Sequence, residues 1–110
     1  MYHMLSWFDL NEGHTIEQFK QDYRTLVARL SKQDLVVSTS PLGLREPQSN
    51  LDTDTDRKQR YFAIMSFRDR DQSEAAYEEI LRNIGPAIQP HNHVVSAVRE
   101  PIFLFWRDLD

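Results

Sequence analysis

Residues 2–10 of the chain are Tyr2-His3-Met4-Leu5-Ser6-Trp7-Phe8-Asp9-Leu10, a stretch that is rich in aromatic and apolar residues. The next residues are Asn11-Glu12-Gly13, which have the composition of a turn. A short apolar run that ends in turn residues favours a β-strand over a short helix. We therefore predict a first strand from Tyr2 to Leu10.

The apolar residues change to a helical period after Thr15. They then recur at spacings typical of one helix face, at Ile16, Phe19, Tyr23, Leu26, Val27 and Leu30. This stripe predicts an amphipathic helix. Thr15 and Gln18 predict a capping box, in which the hydroxyl accepts from an early backbone N–H and the Gln side chain bonds back.

An edge strand and a long loop are predicted after this helix. Leu35 to Ser40 is β-branched and apolar, and Pro41 with Gly43 bends or ends it, as is typical of an edge strand. Leu44 extends the strand beyond the bend. Arg45 to Gln59 lacks the apolar residues that a packed element needs, so we expect a mobile loop that serves as a lid over a pocket.

The second half of the chain completes the pattern. Its predicted elements are a third strand from Tyr61 to Phe67, a second helix opened by Asp71 and Glu74 with the stripe Tyr77, Ile80, Leu81 and Ile84, and a last strand from Ile102 to Trp106. Gly85-Pro86 ends the second helix, and Ala87 to Arg99 has room for a short extra helix. The order β-α-β-β-α-β predicts a ferredoxin-like α+β fold over residues 1–110, with a four-stranded antiparallel sheet and both helices on one face.

Apolar side chains stand on both faces of this sheet. The opposed sets are Leu5 and Trp7 against Met4 and Phe8; Tyr61, Met65 and Phe67 against Phe62 and Ile64; and Ile102, Leu104 and Trp106 against Phe103 and Phe105. Two helices hide only one set, and each large apolar side chain left in water forfeits about 1.5–3 kcal/mol. A second copy of the chain is the simplest cover, which predicts a homodimer. In the alternative, the protein is a monomer. The long loop and the segment from Ala87 to Arg99 then fold over the exposed face.

Composition excludes several classes of site. The 110-residue chain has no cysteine, which rules out disulfides, thiolate zinc sites and a cysteine nucleophile, and agrees with a cytoplasmic location. A net charge of -4 makes nucleic acid and anionic lipid surfaces poor partners. The first apolar stretch has no basic run before it and is soon interrupted by charge, so we expect neither a signal peptide nor a membrane span.

Three stretches resemble a known group of proteins: Tyr2 to Leu10, Tyr61 to Arg70, and Phe103 to Leu109. They are similar to small bacterial proteins of unknown function that have the dimeric α+β-barrel form of the ferredoxin-like fold. The wider superfamily includes antibiotic-biosynthesis monooxygenases that need no cofactor, haem-degrading enzymes and stress-responsive barrel proteins. The resemblance implies a homodimer with a pocket between helices and sheet in each subunit, without implying a particular chemistry.

Histidines are the first candidates for proton transfer near neutral pH. His14 lies in a turn before a helix, where a solvated or capping role is expected. His3 near the start of the first strand, with His91 or His93 just before the last strand, resembles the polyketide-cyclase-like members of the stress-responsive barrel group. That resemblance implies that His3 removes a proton alpha to a carbonyl, while a phenol steadies the enolate.

Tyr23, Tyr61 and Tyr77 are the candidate phenols, and we expect Trp7, Tyr23 and Tyr77 to line the pocket. Two functions compete for this pocket: cofactor-independent catalysis on a small aromatic or polyketide-like molecule, and binding without turnover. The alternative to a catalytic His3 is a hydrogen-bonded core histidine. A cavity where His3 meets a tyrosine hydroxyl favours catalysis, and a filled or apolar cavity favours binding or a structural role.

Metal binding is not predicted. His91 and His93 have a spacing that places both rings on one side of an extended segment, but no third ligand accompanies them. Asp52, Asp54 and Asp56 match the start of a calcium loop, whose pattern then fails because Arg57 replaces the glycine and Ala63 the bidentate glutamate.

An RNA-binding module is the remaining alternative, because RNA-recognition motifs share the βαββαβ order and stack bases on strand aromatics. Arg60 to Phe67 partly matches their third-strand signature. Tyr61 and Ile64 depart from that signature, and the net charge has the wrong sign for nucleic acid.

Overall fold

The computed structural model describes residues 1–46, 50–82 and 85–110. Its elements in chain order are β1 (Tyr2–Leu10), α1 (Ile16–Lys32), β2 (Ser38–Thr39), β3 (Gly43–Leu44), β4 (Tyr61–Phe67), α2 (Arg70–Leu81), α3 (Ile88–Ala97) and β5 (Val98–Arg107). This order confirms the predicted α+β, ferredoxin-like fold. The extra helix between Ala87 and Arg99 is present as α3.

One antiparallel sheet with the order β2-β4-β1-β5 holds the strands together. In the register of β1 with β4, Tyr2 lies opposite Phe67 and Phe8 lies opposite Tyr61. The first strand is therefore central, as predicted, and the strand after α1 is at an edge.

Across the described residues the sheet has five strands instead of the predicted four, because the edge strand is split. Ser38 pairs with Ser66, and beyond the bend Gly43 pairs with Phe62, so β2 and β3 both lie along β4. Pro41 stands between them, and a proline has no N–H to donate to a ladder. The predicted extension through Leu44 is confirmed.

The last strand is longer than predicted and contains an irregularity. Its register with β1 shifts between Trp7 and Asp9, opposite the point where Glu100 takes a positive φ of 52°. An extra residue at such a bulge lets the chain continue in the sheet on both sides. Pro101 therefore lies within β5, next to the bulge.

The helix starts follow from capping side chains. Thr15 Oγ1 accepts from the backbone N–H of Gln18 at 3.2 Å, while the Gln18 amide donates to Asp22 at 3.1 Å and does not close the capping box. The second helix starts earlier than predicted, because Asp69 is its N-cap and accepts from the N–H of Gln72 at 2.8 Å. The predicted stripe residue Ile84 lies outside the described residues.

Helices α1, α2 and α3 cover the same face of the sheet. The core is organised around Phe8, which is 2% exposed and lies 4.9 Å from the ring of Phe19 in α1. Leu26 and Leu30 follow Phe19 along the buried face of α1. Within the described ranges, no helix is long and apolar enough to cross a membrane.

Candidate functional site

The register of β1 assigns each predicted residue to a face of the sheet. Phe8 packs against α1, so Tyr2, Met4 and Ser6 also face the helices. We call the opposite side the outer face. It is formed by His3, Leu5, Trp7, Phe62, Ile64, Ser66, Ile102, Leu104 and Trp106.

A cavity of about 830 Å³ lies between the helices and the sheet. Its floor includes Met4, Met65 and Phe105, and its walls include Phe19 and Val94. The lining is mostly apolar, and the volume is in the range of small-molecule sites.

Three of the sequence-predicted residues line this cavity, namely Tyr23, Tyr77 and His91. Tyr61 faces the same side of the sheet but packs on Phe8, with ring centroids 5.9 Å apart. His93 instead lines a separate polar cleft of about 290 Å³ between α1 and α3, together with Asp22 and Arg29. The structure therefore separates His91 from His93.

Tyr23 supplies a buried phenol. Its hydroxyl lies 2.9 Å from Thr39 Oγ1 at the edge strand. Burial raises the pKa of Tyr23, and the hydrogen bond with Thr39 opposes that effect only in part. The phenol is consequently protonated and uncharged at neutral pH.

His91 supplies an imidazole whose Nδ1 atom is buried without a hydrogen-bond partner in the part of the chain that the structure describes. Burial lowers the pKa of His91, and a hydrogen bond with the Asn92 side chain raises it by a smaller amount. The ring is therefore neutral at pH 7. A neutral imidazole offers one donor and one acceptor.

Arg70 and Glu74 carry the full charges of the described cavity lining. They lie one turn apart on α2, and Arg70 Nε donates to Glu74 Oε1 at 2.8 Å. The hydrogen bond and the charge of Glu74 raise the pKa of Arg70. The cavity thus has no unpaired cation among its described residues to attract an anionic ligand.

His3 lies on the outer face, away from this cavity. Its Nδ1 is 2.8 Å from Ser66 Oγ and its Nε2 is 2.8 Å from Asp108 Oδ1, so both nitrogens have partners. The hydrogen bond from His3 is the main cause that lowers the pKa of Asp108. The structure does not bring His3 together with His91 or with a tyrosine hydroxyl of the cavity, because alternate residues of a strand point to opposite faces.

Trp7 also lies on the outer face, where the described part of the long loop contacts it. Arg45 Cζ lies 5.1 Å and Arg57 Cζ 5.7 Å from the Trp7 ring centroid. Arg45 Nη2 bonds Asp52 Oδ1 at 3.0 Å, which ties the loop into this position. The expected lid over the pocket is therefore wrong for these residues, since they pack on the other side of the sheet.

Two acidic residues of the loop, Asp52 and Asp54, pair with arginines. Asp54 pairs with Arg57, whose backbone N–H and guanidinium lower the pKa of Asp54 to about 2. Among the described residues, no group of three histidine or acidic side chains is placed to hold a metal ion.

Three polar residues of α2 were not predicted from the sequence. Arg70, Ser73 and Glu74 line the cavity beside the predicted Tyr77. These residues recur at the spacing of one helix face, which is visible in the sequence. The pattern was not recognised because the helix was predicted to begin at Asp71, after Arg70.

Comparisons with known proteins show the fold. No protein-family model and no curated protein matches this sequence. Among solved structures, a protein from Arabidopsis thaliana superposes with a TM-score of 0.69 at 13% identity, covering 100% of this chain and 97% of the other. A dimeric ferredoxin-like protein of unknown function from Jannaschia sp. CCS1 gives a TM-score of 0.68 at 11% identity, covering 97% and 98%.

A third similar structure is that of a cofactor-independent oxygenase from Streptomyces nogalater. Its TM-score is 0.60 at 12% identity, and the match covers 99% of this chain and 93% of that one. At such identities, fold-level similarity does not transfer an activity or a set of functional residues. The shared fold is the ferredoxin-like one that the resemblance in the sequence implied.

Proposed function

We propose that this protein binds a small, largely apolar molecule, aromatic or polyketide-like, in the cavity between its helices and its sheet. The observation that carries the proposal is the cavity itself, about 830 Å³ of space over an apolar floor with few polar groups. Sites of this size with a small number of polar contacts are typical of small-molecule binding.

The position of His3 favours binding over the catalytic alternative that uses His3 as a base. Both nitrogens of His3 are engaged with Ser66 and Asp108 on the outer face. A general base must come within hydrogen-bond reach of the proton that it removes. A ligand in the cavity is separated from His3 by the sheet.

A homodimer formed through the outer face is part of the same proposal. Leu104 is 53% exposed and Trp106 is 40% exposed on this face, and the described loop residues contact its other end, at Trp7. Exposed apolar side chains of this size on one face are typical of an interface. The similar protein from Jannaschia sp. CCS1 is described as dimeric. We also propose a cytoplasmic location, on the cysteine-free composition.

Titration with N-phenylnaphthylamine, an uncharged aromatic dye that fluoresces in apolar surroundings, tests the binding site. Ser73→Trp places a large side chain into the cavity, and Ser31→Trp places the same side chain on the exposed side of α1. We expect the wild type and Ser31→Trp to bind the dye alike, and Ser73→Trp to bind about tenfold more weakly, because the added side chain removes space and contacts. Equal binding by all three, or none by the wild type, would overturn the proposal.

A cofactor-independent enzyme that uses His91 as its base is the second candidate. A neutral imidazole and the phenols of Tyr23 and Tyr77 share the cavity lining, and these groups suit proton abstraction next to a carbonyl with stabilisation of the enolate. Propiophenone in heavy water tests it, because a base in the cavity accelerates deuterium exchange alpha to the ketone. The candidate predicts faster exchange with the wild type and with His3→Ala than with His91→Phe. Exchange at the buffer rate in all samples eliminates it.

A further inference from the structure

Ser6 places a hydroxyl on the floor of the cavity. It lies in the central strand β1, two residues from Met4 and two from Phe8, so its side chain points toward the helices and lines the cavity. A hydroxyl in such apolar surroundings costs free energy unless it has a hydrogen-bond partner. The Ser6 side chain makes no hydrogen bond within the described residues.

The Ser6 hydroxyl is accessible from the cavity. Three side chains have a fully buried polar atom without a hydrogen bond in the described ranges, namely Gln33, Gln59 and His91. Ser6 Oγ is not one of these atoms although it also lacks a partner, so it keeps accessible surface. Strands β4 and β5 flank Ser6 on both sides, so this surface faces the cavity. Phe103, opposite Ser6 in β5, is 52% exposed and opens the cavity to solvent beside it.

The floor of the cavity has room above Ser6. In the register of β1 with β4, Ser6 lies opposite Ala63, which is also short. The pairs on either side consist of large side chains, Met4 with Met65 and Phe8 with Tyr61. A ligand group that enters this space lies beside the hydroxyl and away from bulk water, where a hydrogen bond is stronger than at an exposed rim.

Charge in the lining disfavours ions as ligands. The guanidinium of the described lining, on Arg70, is paired with Glu74, and the Glu74 carboxylate repels anions. A carboxylate or phosphate moved from water onto the apolar floor loses its hydration, with no free cation among the described lining residues to replace it. The Tyr23 hydroxyl already bonds Thr39, so it is less available to a ligand than the Ser6 hydroxyl.

We propose that Ser6 recognises the ligand of the cavity, and that this ligand is an uncharged molecule whose hydroxyl group bonds Ser6 Oγ. The inference rests on the proposed binding function and adds the ligand class and the residue that recognises it. Two hydroxyls can bond in either direction, because each donates and accepts. A ketone oxygen only accepts, so it can bond Ser6 in one direction alone.

Three ligands of similar shape separate the contributions to affinity. Para-propylphenol carries the hydroxyl, propylbenzene lacks it, and para-propylbenzoate replaces it by a charge. Each is titrated against the dye-loaded protein at pH 7, and dye displacement gives its dissociation constant. We expect para-propylphenol to bind about fivefold more tightly than propylbenzene, and para-propylbenzoate to bind more weakly than both.

Ser6→Ala removes the hydroxyl and leaves the rest of the floor in place, and Ser66→Ala makes the same change on the outer face of the same sheet. We expect Ser6→Ala to lose the preference for the phenol and to bind propylbenzene at least as well as the wild type. Ser66→Ala should retain the preference. Because propylbenzene binding reports the cavity in every variant, loss of the preference differs from loss of the site.

The outcomes distinguish the two proposals. If propylbenzene and para-propylphenol bind equally to the wild type, or if Ser6→Ala keeps the preference, the assignment of Ser6 is wrong although the cavity still binds. If para-propylbenzoate binds best, the ligand is an anion and the inference is overturned. If neither the dye nor any of the three ligands binds, the proposed function itself fails.

Discussion

His3 and His91 lie on opposite faces of one sheet. His3 stands opposite Ser66 and Trp106 in the strand register, on the outer face, whereas His91 lines the cavity under the helices. No change of rotamer brings the two rings together, because a strand separates them. The imidazole available to a ligand in the cavity is therefore that of His91, and His3 holds the C-terminal segment through Asp108.

Replacement of His3 by alanine should leave the cavity intact. We expect His3→Ala to bind N-phenylnaphthylamine within about twofold of the wild type, and to lose about 1 kcal/mol of unfolding free energy through its bonds to Ser66 and Asp108. Dye titration and urea unfolding measure the two effects. A loss of dye affinity as large as that of Ser73→Trp would show that His3 acts on the cavity after all.

A charge on the outer face should separate the subunits of the proposed dimer. Leu104→Arg buries an unpaired guanidinium in the interface, so we expect the sedimentation coefficient to fall from that of a dimer to that of a monomer at micromolar concentration. Leu81→Arg is the matched control, because Leu81 is exposed on α2, on the other side of the molecule. A wild type that sediments as a monomer contradicts the dimer, and a Leu104→Arg protein that stays dimeric moves the interface elsewhere.

The stability of the loop on the outer face against local opening should depend on Arg45. The backbone amides of Asp54, Asp56 and Arg57 donate to aspartate side chains, and Arg45 holds the first of these aspartates, Asp52. Arg45→Ala should speed hydrogen exchange at the three amides by about tenfold or more, since local opening then costs less free energy. NMR detects the exchange residue by residue, with Lys58→Ala as the control. Unchanged exchange in Arg45→Ala would mean that the loop is held by other contacts.

Acid should weaken the fold through Asp9. Burial alone would raise its pKa, but the hydrogen bonds from Arg60 and Leu10 and the charges of Arg60 and Arg99 outweigh it, so the pKa of Asp9 is lowered below its ordinary 3.8. A lowered pKa contributes stability that is present above pH 3.8 and is lost as the pH falls through the lower value of the folded state.

Asp9→Asn should therefore cost about 1–3 kcal/mol of unfolding free energy at pH 7, because the Arg60 bond loses its charged acceptor. The difference between wild type and variant should shrink on acidification below pH 3.8, where the wild type also loses the charge. Urea unfolding at a series of pH values measures it. A difference that stays constant down to pH 3 would exclude this ion pair as the cause.

Much of the fold could be predicted because local patterns and tertiary packing agree. The strand from Tyr61 to Phe67 and the helix after Thr15 have the predicted type, since their apolar periods match the faces that they bury. The residues at which the helices begin and end were predicted less accurately. Asp69 and Asp71 are both acceptable N-caps in sequence, and the structure selects Asp69, whose carboxylate reaches the N–H of Gln72.

The candidate site could be predicted only in part. Tyr23 and Tyr77 belong to helices whose apolar stripes show in the sequence, whereas His91 belongs to a segment for which only room for a short helix was predicted. All three line the cavity. His3 and Trp7 belong to a strand with apolar residues at both alternate sets of positions, so the sequence did not indicate which set the helices cover. The packing of Phe8 on Phe19 decides it, and that contact joins distant parts of the chain.

Isotope-filtered NMR on the complex with para-propylphenol measures most directly where a ligand lies. We expect nuclear Overhauser effects from the bound ligand to the methyl groups of Val94 and Met65, which line the cavity under the helices. Effects to Leu104 and Ile64 instead would contradict binding in the cavity and assign the binding surface to the outer face.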